Sequence, residues 1–498
     1  MKIILAGYNL DTETIREFQE RNPDAKHLTP ETISAAYARI SRSPKSVDEL
    51  RAISRGEVEK ARASNRNIVF EMGHSSVAEH AVFNIDILGV SRLLVEEIEK
   101  FRLCSYTEKS QRYVLFKDDF VIPDKIRKTG LEEIFVGAIR EQNKFYHELY
   151  EKLKPYIFER HKSLAEDPKN RSMLEGWAKE DARYVIAMAT ETQLGMTVNA
   201  RNLELMLRRL SAHPLDEARA FSRKLFKATK DTAPSLIRYT EATDYDRLTR
   251  KLLKETVDAA LKDETAEGGD GACPHGKPVT LVHATPQADE LTVASLIHSS
   301  SGLSMNQCLK TASQMSQNDK QKIIKATLRH IKSYDAVLRE FEHVDCHFEL
   351  IVSASCFAQL KRHRMATISS QDYDPSFGVT VPPAIQDIGM EKPFLKIMEH
   401  TEAAYRKIAE ITPLAAGYIL TNAHRKRVAM KINARELYHI ARLRADRHAQ
   451  WDIRTVTEEM IVLAKDAMPL TLMLATGKDG FPALHHQTTS DDLLLKTD

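Results

Sequence analysis

The chain carries one sequence pattern twice, and this internal repeat constrains its fold more than any other feature. Residues 80–87 and 344–351 alternate apolar and polar side chains, which predicts a strand in each place. A helical stretch follows each strand and ends in a basic cluster, at Arg102 upstream and at Arg364 downstream. The same order of elements in both places indicates a duplicated supersecondary unit.

Further matched positions keep the same order along the chain. The matched pairs are Glu79 with Glu342, Arg102 with Arg364, and Asn199 with Asn433. Three matches in order favour a tandem duplication over chance. We therefore predict a first repeat at 1–262, a linker at 263–278, a second repeat at 279–480 and a C-terminal tail at 481–498. The linker prediction rests on its glycine-rich polar composition.

The elements predicted within each repeat define the fold class. Short strands are expected at the start of both repeats, from Met1 and from Val279, and helical patterns surround Asn199 and Asn433. Helices with intervening short strands indicate an α/β (α+β) class. We expect each repeat to form a mixed sheet with helices.

Composition excludes several classes of protein. Lys+Arg number 72 and Asp+Glu 70, so no global positive field favours nucleic acid. The five cysteines form no CxxC pair, so neither a disulfide framework nor a metal site is expected. No apolar run approaches the length of a membrane span. We expect a cytoplasmic protein with no membrane or nucleic-acid partner.

Two local clusters suit anions, although each has a simpler explanation. The Arg362-His363-Arg364 triplet offers two guanidinium forks for a pyrophosphate, or is a solvated basic helix end. Residues 73–80 offer a glycine turn and hydroxyls for an anion, or a capping box of Ser76 with Glu79.

Cys104 and Cys356 flank the basic clusters. A nucleophilic cysteine needs a lowered pKa and a partner base. Small buried residues explain both cysteines more simply, so we expect no enzyme nucleophile.

Together the two copies resemble the flavin-dependent thymidylate synthases, whose motif is Arg-His-Arg-x-x-Ser-x-x-x-x-Ser-x-Arg-Tyr. The upstream copy keeps Arg102, Ser105, Ser110, Arg112 and Tyr113, but has Lys100 and Phe101 in place of the first Arg and the His. The downstream copy keeps Arg362, His363, Arg364 and a threonine at 367, and then loses the last Ser, Arg and Tyr to Asp372, Asp374 and Pro375.

The resemblance implies an FAD cofactor, dUMP as substrate, methylenetetrahydrofolate as one-carbon donor and NADPH as reductant. It also implies a homotetramer with sites at subunit interfaces. The expected catalytic residue is Arg444, which would stabilise negative charge on the uracil. The expected substrate-binding residues are Gln359, Glu108, Ser110, Gln111, Arg112 and Arg183. The expected flavin-binding residues are Ser41, His74, Ser76, Glu79, Arg362, His363, Arg364, Asn433, Arg435 and His448.

The two repeats lose different parts of this set. The first repeat has Glu97 where the second has Gln359, and Leu210 where the second has Arg444. The second repeat has Gly417 where the first has Arg183. Because the losses do not overlap, we expect composite sites built from unlike halves, in a homodimer of tandem chains that forms a pseudo-tetramer. C5 alkylation of UMP on the same fold, or non-catalytic binding of flavin or nucleotide, stay open as alternatives.

Overall fold

The computed structural model describes residues 1–10, 18, 20, 29–40, 43–112, 114–116, 118–261 and 277–490. Ser41 and nearly all of the predicted linker 263–278 lie outside the described residues, as does Tyr113. The chain forms two compact units. The first comprises Met1–Gly271 and Ile388–Leu420, and the second comprises Ala272–Asp387 and Thr421–Asp498.

Each unit contains a four-stranded antiparallel sheet. The strands are β1 (Lys2–Tyr8), β2 (Val82–Ser91), β3 (Cys104–Glu108), β4 (Glu191–Asn199), β5 (Val279–Ala284), β6 (Asp345–Ser353), β7 (Thr367–Ser370) and β8 (Arg425–Asn433). Their order is β1-β2-β4-β3 in the first sheet and β5-β6-β8-β7 in the second. The prediction of two similar repeats, each with a sheet and helices, is confirmed.

Helices connect and cover the strands. They are α1 (Glu31–Ile40), α2 (Val47–Gly56), α3 (Val58–Arg66), α4 (Arg92–Ile98), α5 (Asp124–Lys128), α6 (Glu132–Arg160), α7 (Lys162–Ala165), α8 (Arg171–Ala182), α9 (Ala200–Ser211), α10 (Asp216–Thr229), α11 (Asp244–Ala260), α12 (Ala288–Ser300), α13 (Met305–Gln314), α14 (Gln317–Leu328), α15 (Ala354–Leu360), α16 (Pro383–Asp387), α17 (Glu391–Ile411), α18 (Pro413–Ala416), α19 (Ala434–Arg444), α20 (Trp451–Ala467) and α21 (Phe481–Ser490). Short 3₁₀ turns include Ser75–His80, Arg183–Val185 and Arg339–His343.

Strand register supports the duplication in detail. Val82 pairs with Asn199 across β2 and β4, and Asp345 pairs with Asn433 across β6 and β8. Each Asn then caps the following helix, because its side chain accepts a hydrogen bond from the backbone three residues on. The two asparagines that the sequence matched therefore occupy the same place in both sheets.

A duplicated ion pair gives a second, independent match. Arg201 lies 2.5 Å from Glu79 in the first unit, and Arg435 lies 3.0 Å from Glu342 in the second. Each pair ties the start of the helix after the fourth strand to the 3₁₀ turn before the second strand. These residues therefore have the same local role in both repeats.

Alternating burial explains why β2 forms where the sequence predicts it. Phe83, Ile85 and Ile87 are buried, whereas Asn84 and Asp86 face outward. Burying an apolar side chain of this size contributes about 1.5–3 kcal/mol. The inward face of β2 joins a core completed by helices α9 and α10, which fixes the strand's register.

The boundaries of the two compact units differ from those of the two sequence repeats. Helix α17 belongs to the second repeat in sequence, but it packs on α6 within the first unit. Phe135 and Ile139 share a buried cluster with Ala404 and Ile408. Gln142 also donates a 2.8 Å hydrogen bond to Thr401. The first unit is therefore completed by a segment from the second repeat.

Candidate active site

The basic triplet of the second unit lies on the turn that follows α15. The backbone N–H of His363 donates to the carbonyl of Leu360, and the carbonyl of His363 accepts a hydrogen bond from Ala366 N. His363 is only 4% exposed. Arg362 and Arg364 are exposed on either side of it. The turn thus presents two cations to solvent and one imidazole to the interior.

Arg444, the last residue of α19, lies against this buried imidazole. Its Nε donates a 3.0 Å hydrogen bond to His363 Nε2, and one terminal nitrogen donates to the carbonyl of Gln359 at 3.5 Å. The side chain of Gln359 donates to Gln450 at 3.3 Å. Three residues that the sequence assigned to one site, Gln359, His363 and Arg444, are therefore in direct contact.

Glu436 is part of this cluster, and sequence reasoning did not assign it. Its carboxylate lies 3.6 Å from His363 Nδ1. Burial lowers the pKa of His363, Glu436 opposes this shift, and Arg444 adds to it. Glu436 precedes Arg444 on α19, and no local sequence pattern pointed to its contact with His363.

The remaining second-unit residues have local partners. Asn433 caps α19 through a 2.8 Å bond from Glu436 N, and Arg435 donates to the carbonyl of Val337 and to Glu342. His448 is exposed on the loop after α19. The assignment of Asn433, Arg435 and His448 to flavin stays a prediction.

The first unit holds the predicted nucleotide loop at the end of β3. Glu108 forms a buried 2.8 Å ion pair with Arg92, and Thr192 donates to the same carboxylate. Burial works against the charge of Arg92, but Glu108, Glu96 and Glu99 raise its pKa. Glu108 is thus part of the loop's internal framework.

Ser110 and Gln111 line a cleft on this loop. The Ser110 hydroxyl accepts a 3.1 Å hydrogen bond from the backbone of Arg112, which holds the turn. Gln111 is 6% exposed. Lys109, Glu191 and Thr192 line the same cleft.

Arg112 and Arg183 converge on Glu180. Arg112 forms an ion pair with the Glu180 carboxylate, and Arg183 Nε donates to the Glu180 carbonyl at 3.2 Å. Burial lowers the pKa of Arg183, and the charge of Arg112 lowers it further, against the effect of Glu180. Two guanidinium groups therefore contact Glu180, one at its carboxylate and one at its backbone carbonyl. Glu180 was not assigned from the sequence.

His74, Ser76 and Glu79 lie at the turn before β2. Gly73 has φ +74°, a conformation that favours glycine, and the 3₁₀ turn Ser75–His80 follows it. The cap residue is His74, without a side-chain capping bond, so the capping-box interpretation of Ser76 with Glu79 is wrong. His74 and Ser76 are exposed, whereas Glu79 is paired with Arg201.

In the first unit, the positions that match Gln359 and Arg444 hold other residues with local contacts. Glu97, at the position of Gln359, lies 2.6 Å from Lys100 and 3.1 Å from His213. Burial opposes the charge of Glu97, but these partners lower its pKa to about 2. Leu210, at the position of Arg444, is buried in the core. The charge of Glu97 is therefore balanced by residues of the first unit itself.

Both cysteines beside the basic clusters are buried. Burial raises the pKa of Cys356 well above its usual value, so its reactive thiolate is disfavoured. Among the helices that the structure describes, none is long and apolar enough to cross a membrane.

Comparison with known proteins identifies the family. The family described as Thymidylate synthase complementing protein matches the chain at residues 25–235 and again at 280–470. The two matches cover more than half of the chain, so this protein belongs to that family and carries two copies of its domain. The resemblance inferred from the motifs, including the tandem arrangement, is confirmed.

Some relatives match less than half of the chain, and others match most of it. A flavin-dependent thymidylate synthase of Clostridium tetani is 33% identical over 214 residues, which cover 42% of this chain and 82% of that protein. A UPF0159 protein of Thermoplasma acidophilum is 23% identical over 445 residues, which cover 81% of this chain and 86% of that protein. A solved flavin-dependent thymidylate synthase from Helicobacter pylori, complexed with FAD and dUMP, is 17% identical with a TM-score of 0.31, and covers 48% of this chain and 100% of that chain.

Proposed function

We propose that this protein is a flavin-dependent thymidylate synthase, which methylates dUMP at C5 with methylenetetrahydrofolate, FAD and NADPH. One observation carries the proposal: the two units retain different parts of the site. The first keeps Arg112 and Arg183 at the nucleotide loop, and the second keeps Gln359 and Arg444. The internal pairing of Glu97 in the first unit supports this division of roles.

In this proposal the phosphate of the nucleotide binds to Arg112 and Arg183. Arg112 pairs with the Glu180 carboxylate and Arg183 donates to the Glu180 carbonyl, so both guanidinium groups lie at one residue. Burial disfavours the charged form of Arg183. A phosphate beside it would favour that charge and accept bidentate hydrogen bonds. Ser110 and Gln111 provide further polar groups in the adjoining cleft.

Arg444 is the catalytic residue in this proposal. Methylation at C5 requires negative charge to develop on the uracil ring. His363 and the carbonyl of Gln359 accept hydrogen bonds from Arg444, and these contacts hold the guanidinium in position for the substrate. A preorganised cation of this kind is worth about 3–4 kcal/mol in the transition state.

The residues of the triplet fit an FAD phosphate group. Arg362 and Arg364 are exposed cations on one turn, and paired guanidinium groups suit a pyrophosphate. His74 and Ser76 add exposed polar groups, and Ser41, Glu79, Asn433, Arg435 and His448 complete the proposed set. FAD supplies the redox chemistry when bound. The chain's own residues hold the cofactor, orient the nucleotide and stabilise charge.

Each complete site combines nucleotide-loop residues of a first repeat with flavin-side residues of a second repeat. Four family-like domains are then supplied by two chains, as a homodimer. The sites that would use Glu97, Leu210 and Gly417 are inactive in this proposal, because Leu210 and Gly417 replace the arginines of the productive site and Glu97 replaces Gln359.

Tritium release from dUMP labelled at C5, with labelled UMP assayed in parallel, tests the proposed function. We expect release from dUMP that needs methylenetetrahydrofolate and is lost in Arg444→Ala. Release from UMP alone would reassign the substrate. A flavin spectrum without release from either nucleotide would contradict the enzyme proposal and leave a binding protein.

A further inference from the structure

The contact between His363 and Arg444 fixes the position of a proton. Arginine has only N–H donors and no acceptor. Because Arg444 Nε lies 3.0 Å from His363 Nε2, this ring nitrogen must accept the hydrogen bond. A neutral imidazole with an accepting Nε2 carries its proton on Nδ1. The structure therefore specifies the tautomer of His363 from its heavy-atom contacts.

Glu436 faces the nitrogen that carries this proton. Its Oε1 lies 3.6 Å from His363 Nδ1, slightly beyond hydrogen-bond length, and its side chain is 11% exposed. A carboxylate at that distance favours a proton on Nδ1 over a proton on Nε2. In the contacts Glu436–His363–Arg444, the Nδ1–H of His363 therefore faces the carboxylate and its Nε2 faces the guanidinium.

We propose that Glu436 is a positioning residue: it keeps the proton of His363 on Nδ1, so that Nε2 remains the acceptor that holds the Arg444 guanidinium. This inference deepens the proposed function and rests on it for the role of Arg444. Glu436 acts through His363 and need not touch the substrate. If His363 binds a second proton, both ring nitrogens become donors and Arg444 Nε loses Nε2 as an acceptor.

The first repeat supports the inference, because it has lost all three members together. Phe101 stands at the position of His363, Asn202 at that of Glu436, and Leu210 at that of Arg444. Asn202 instead donates to Asn199 at 2.9 Å. The helix and its cap are the same in both units. A glutamate at this position is therefore not needed to form the helix. It occurs in the repeat that has His363 and Arg444, and it is absent from the repeat that lacks them.

A metal ion is the competing explanation for this cluster. Ligand atoms of His363, Glu436 and His439 lie within 4.8 Å of one another. A metal bound to His363 Nδ1 would leave the ring proton on Nε2. Two donors would then face each other at 3.0 Å, on His363 and Arg444. The observed contact therefore favours the proton arrangement over the metal.

The pH dependence follows from the groups around His363. These are Glu436, Arg444 and His439. Activity should fall as the pH decreases through the pKa of His363, which burial holds below its usual value. Replacing Glu436 with Gln removes the charge that favours the protonated ring. The acid limb should then move to lower pH, while the remaining activity falls because the tautomer is no longer fixed.

The test compares Glu436→Gln with Asn202→Ala, its matched position on α9 of the first repeat. We expect Glu436→Gln to lower kcat about ten- to a hundredfold, the usual cost of removing a partner that orients an imidazole. Flavin affinity and KM for dUMP should change less than twofold, and Asn202→Ala should leave all three unchanged. Unchanged kcat in Glu436→Gln, or a loss of flavin equal to the loss of kcat, would overturn the proposal.

A second readout does not depend on activity. Imidazole ¹⁵N NMR, with the His363 signals assigned by their absence in His363→Gln, reports the tautomer in the resting protein. We expect the proton on Nδ1 in the wild type and a mixture in Glu436→Gln. A proton on Nε2, or stoichiometric zinc that is lost in Glu436→Gln, would overturn the proposal. If neither nucleotide releases tritium, the proposed function fails, while this spectrum still decides the proton position.

Discussion

The carboxylate of Glu97 lies 3.1 Å from Nε2 of His213 in the first unit. Lys100 reaches the same carboxylate at 2.6 Å. In the second unit Gln359 stands at the matched position and donates instead to Gln450. The first unit therefore balances the charge of Glu97 with its own residues. The second unit keeps Arg444 and two exposed arginines, Arg362 and Arg364, around the buried imidazole of His363. This difference is the physical basis for assigning flavin to the second repeat.

The affinity of the protein for FAD should depend on Arg364 of the second repeat and not on Lys100 of the first repeat. Arg364→Ala removes a charge-assisted hydrogen bond worth about 1.5–3 kcal/mol, which corresponds to about a ten- to a hundredfold loss of affinity. Lys100→Ala, at the position of Arg362 in the first repeat, is the control, because Lys100 already has Glu97 as its partner. Titration followed by flavin absorbance measures both constants. Loss of flavin in Lys100→Ala with retention in Arg364→Ala would contradict the assignment.

Assembly should produce a dimer of tandem chains. Each chain supplies two family domains, and each proposed site needs one domain of each kind. Light scattering should therefore give about twice the chain mass of 56.5 kDa. A stable species at the chain mass that still binds flavin tightly would count against the pseudo-tetramer.

His424 should make the second unit less stable at acid pH. Its ring is fully buried, and burial lowers its pKa to about 4. Because the folded-state pKa is below the unfolded value of about 6.5, its stabilising contribution is complete above pH 6.5 and is lost as the pH falls towards 4. The loss at pH 5 is about 2 kcal/mol relative to pH 7.5. Hydrogen exchange of β8 peptides, corrected for intrinsic rates, measures this opening free energy.

The control for this prediction is His424→Asn. The Nδ1 atom of His424 accepts a 2.9 Å hydrogen bond from Thr421 N, and an asparagine oxygen can replace that acceptor without titrating. We expect the variant to be less stable at pH 7.5 but to lose about 2 kcal/mol less on going to pH 5. An unchanged pH dependence would show that another group is responsible.

The sequence predicted the repeat and four of the eight strands that the structure describes, because period-two burial is a local signal. β2 and β6 occur within two residues of the expected starts, and Asn199 and Asn433 cap the expected helices. The site was predicted through motif residues, so residues without a motif position were missed. Glu180 and Glu436 act through side-chain contacts with distant arginine or histidine residues, and local patterns do not encode those contacts. The packing of α17 in the first unit was missed for the same reason.

The composite site is tested most directly by turnover of Arg183→Ala, Arg444→Ala and the double variant. The two residues belong to different repeats, and in the proposed site each contacts a different part of the same nucleotide. Groups that act as one unit show non-additive losses. Tritium release from C5-labelled dUMP should therefore be abolished in each single variant, and the double variant should be little worse. Wild-type release from either single variant would show that one repeat is the whole enzyme and would contradict the account.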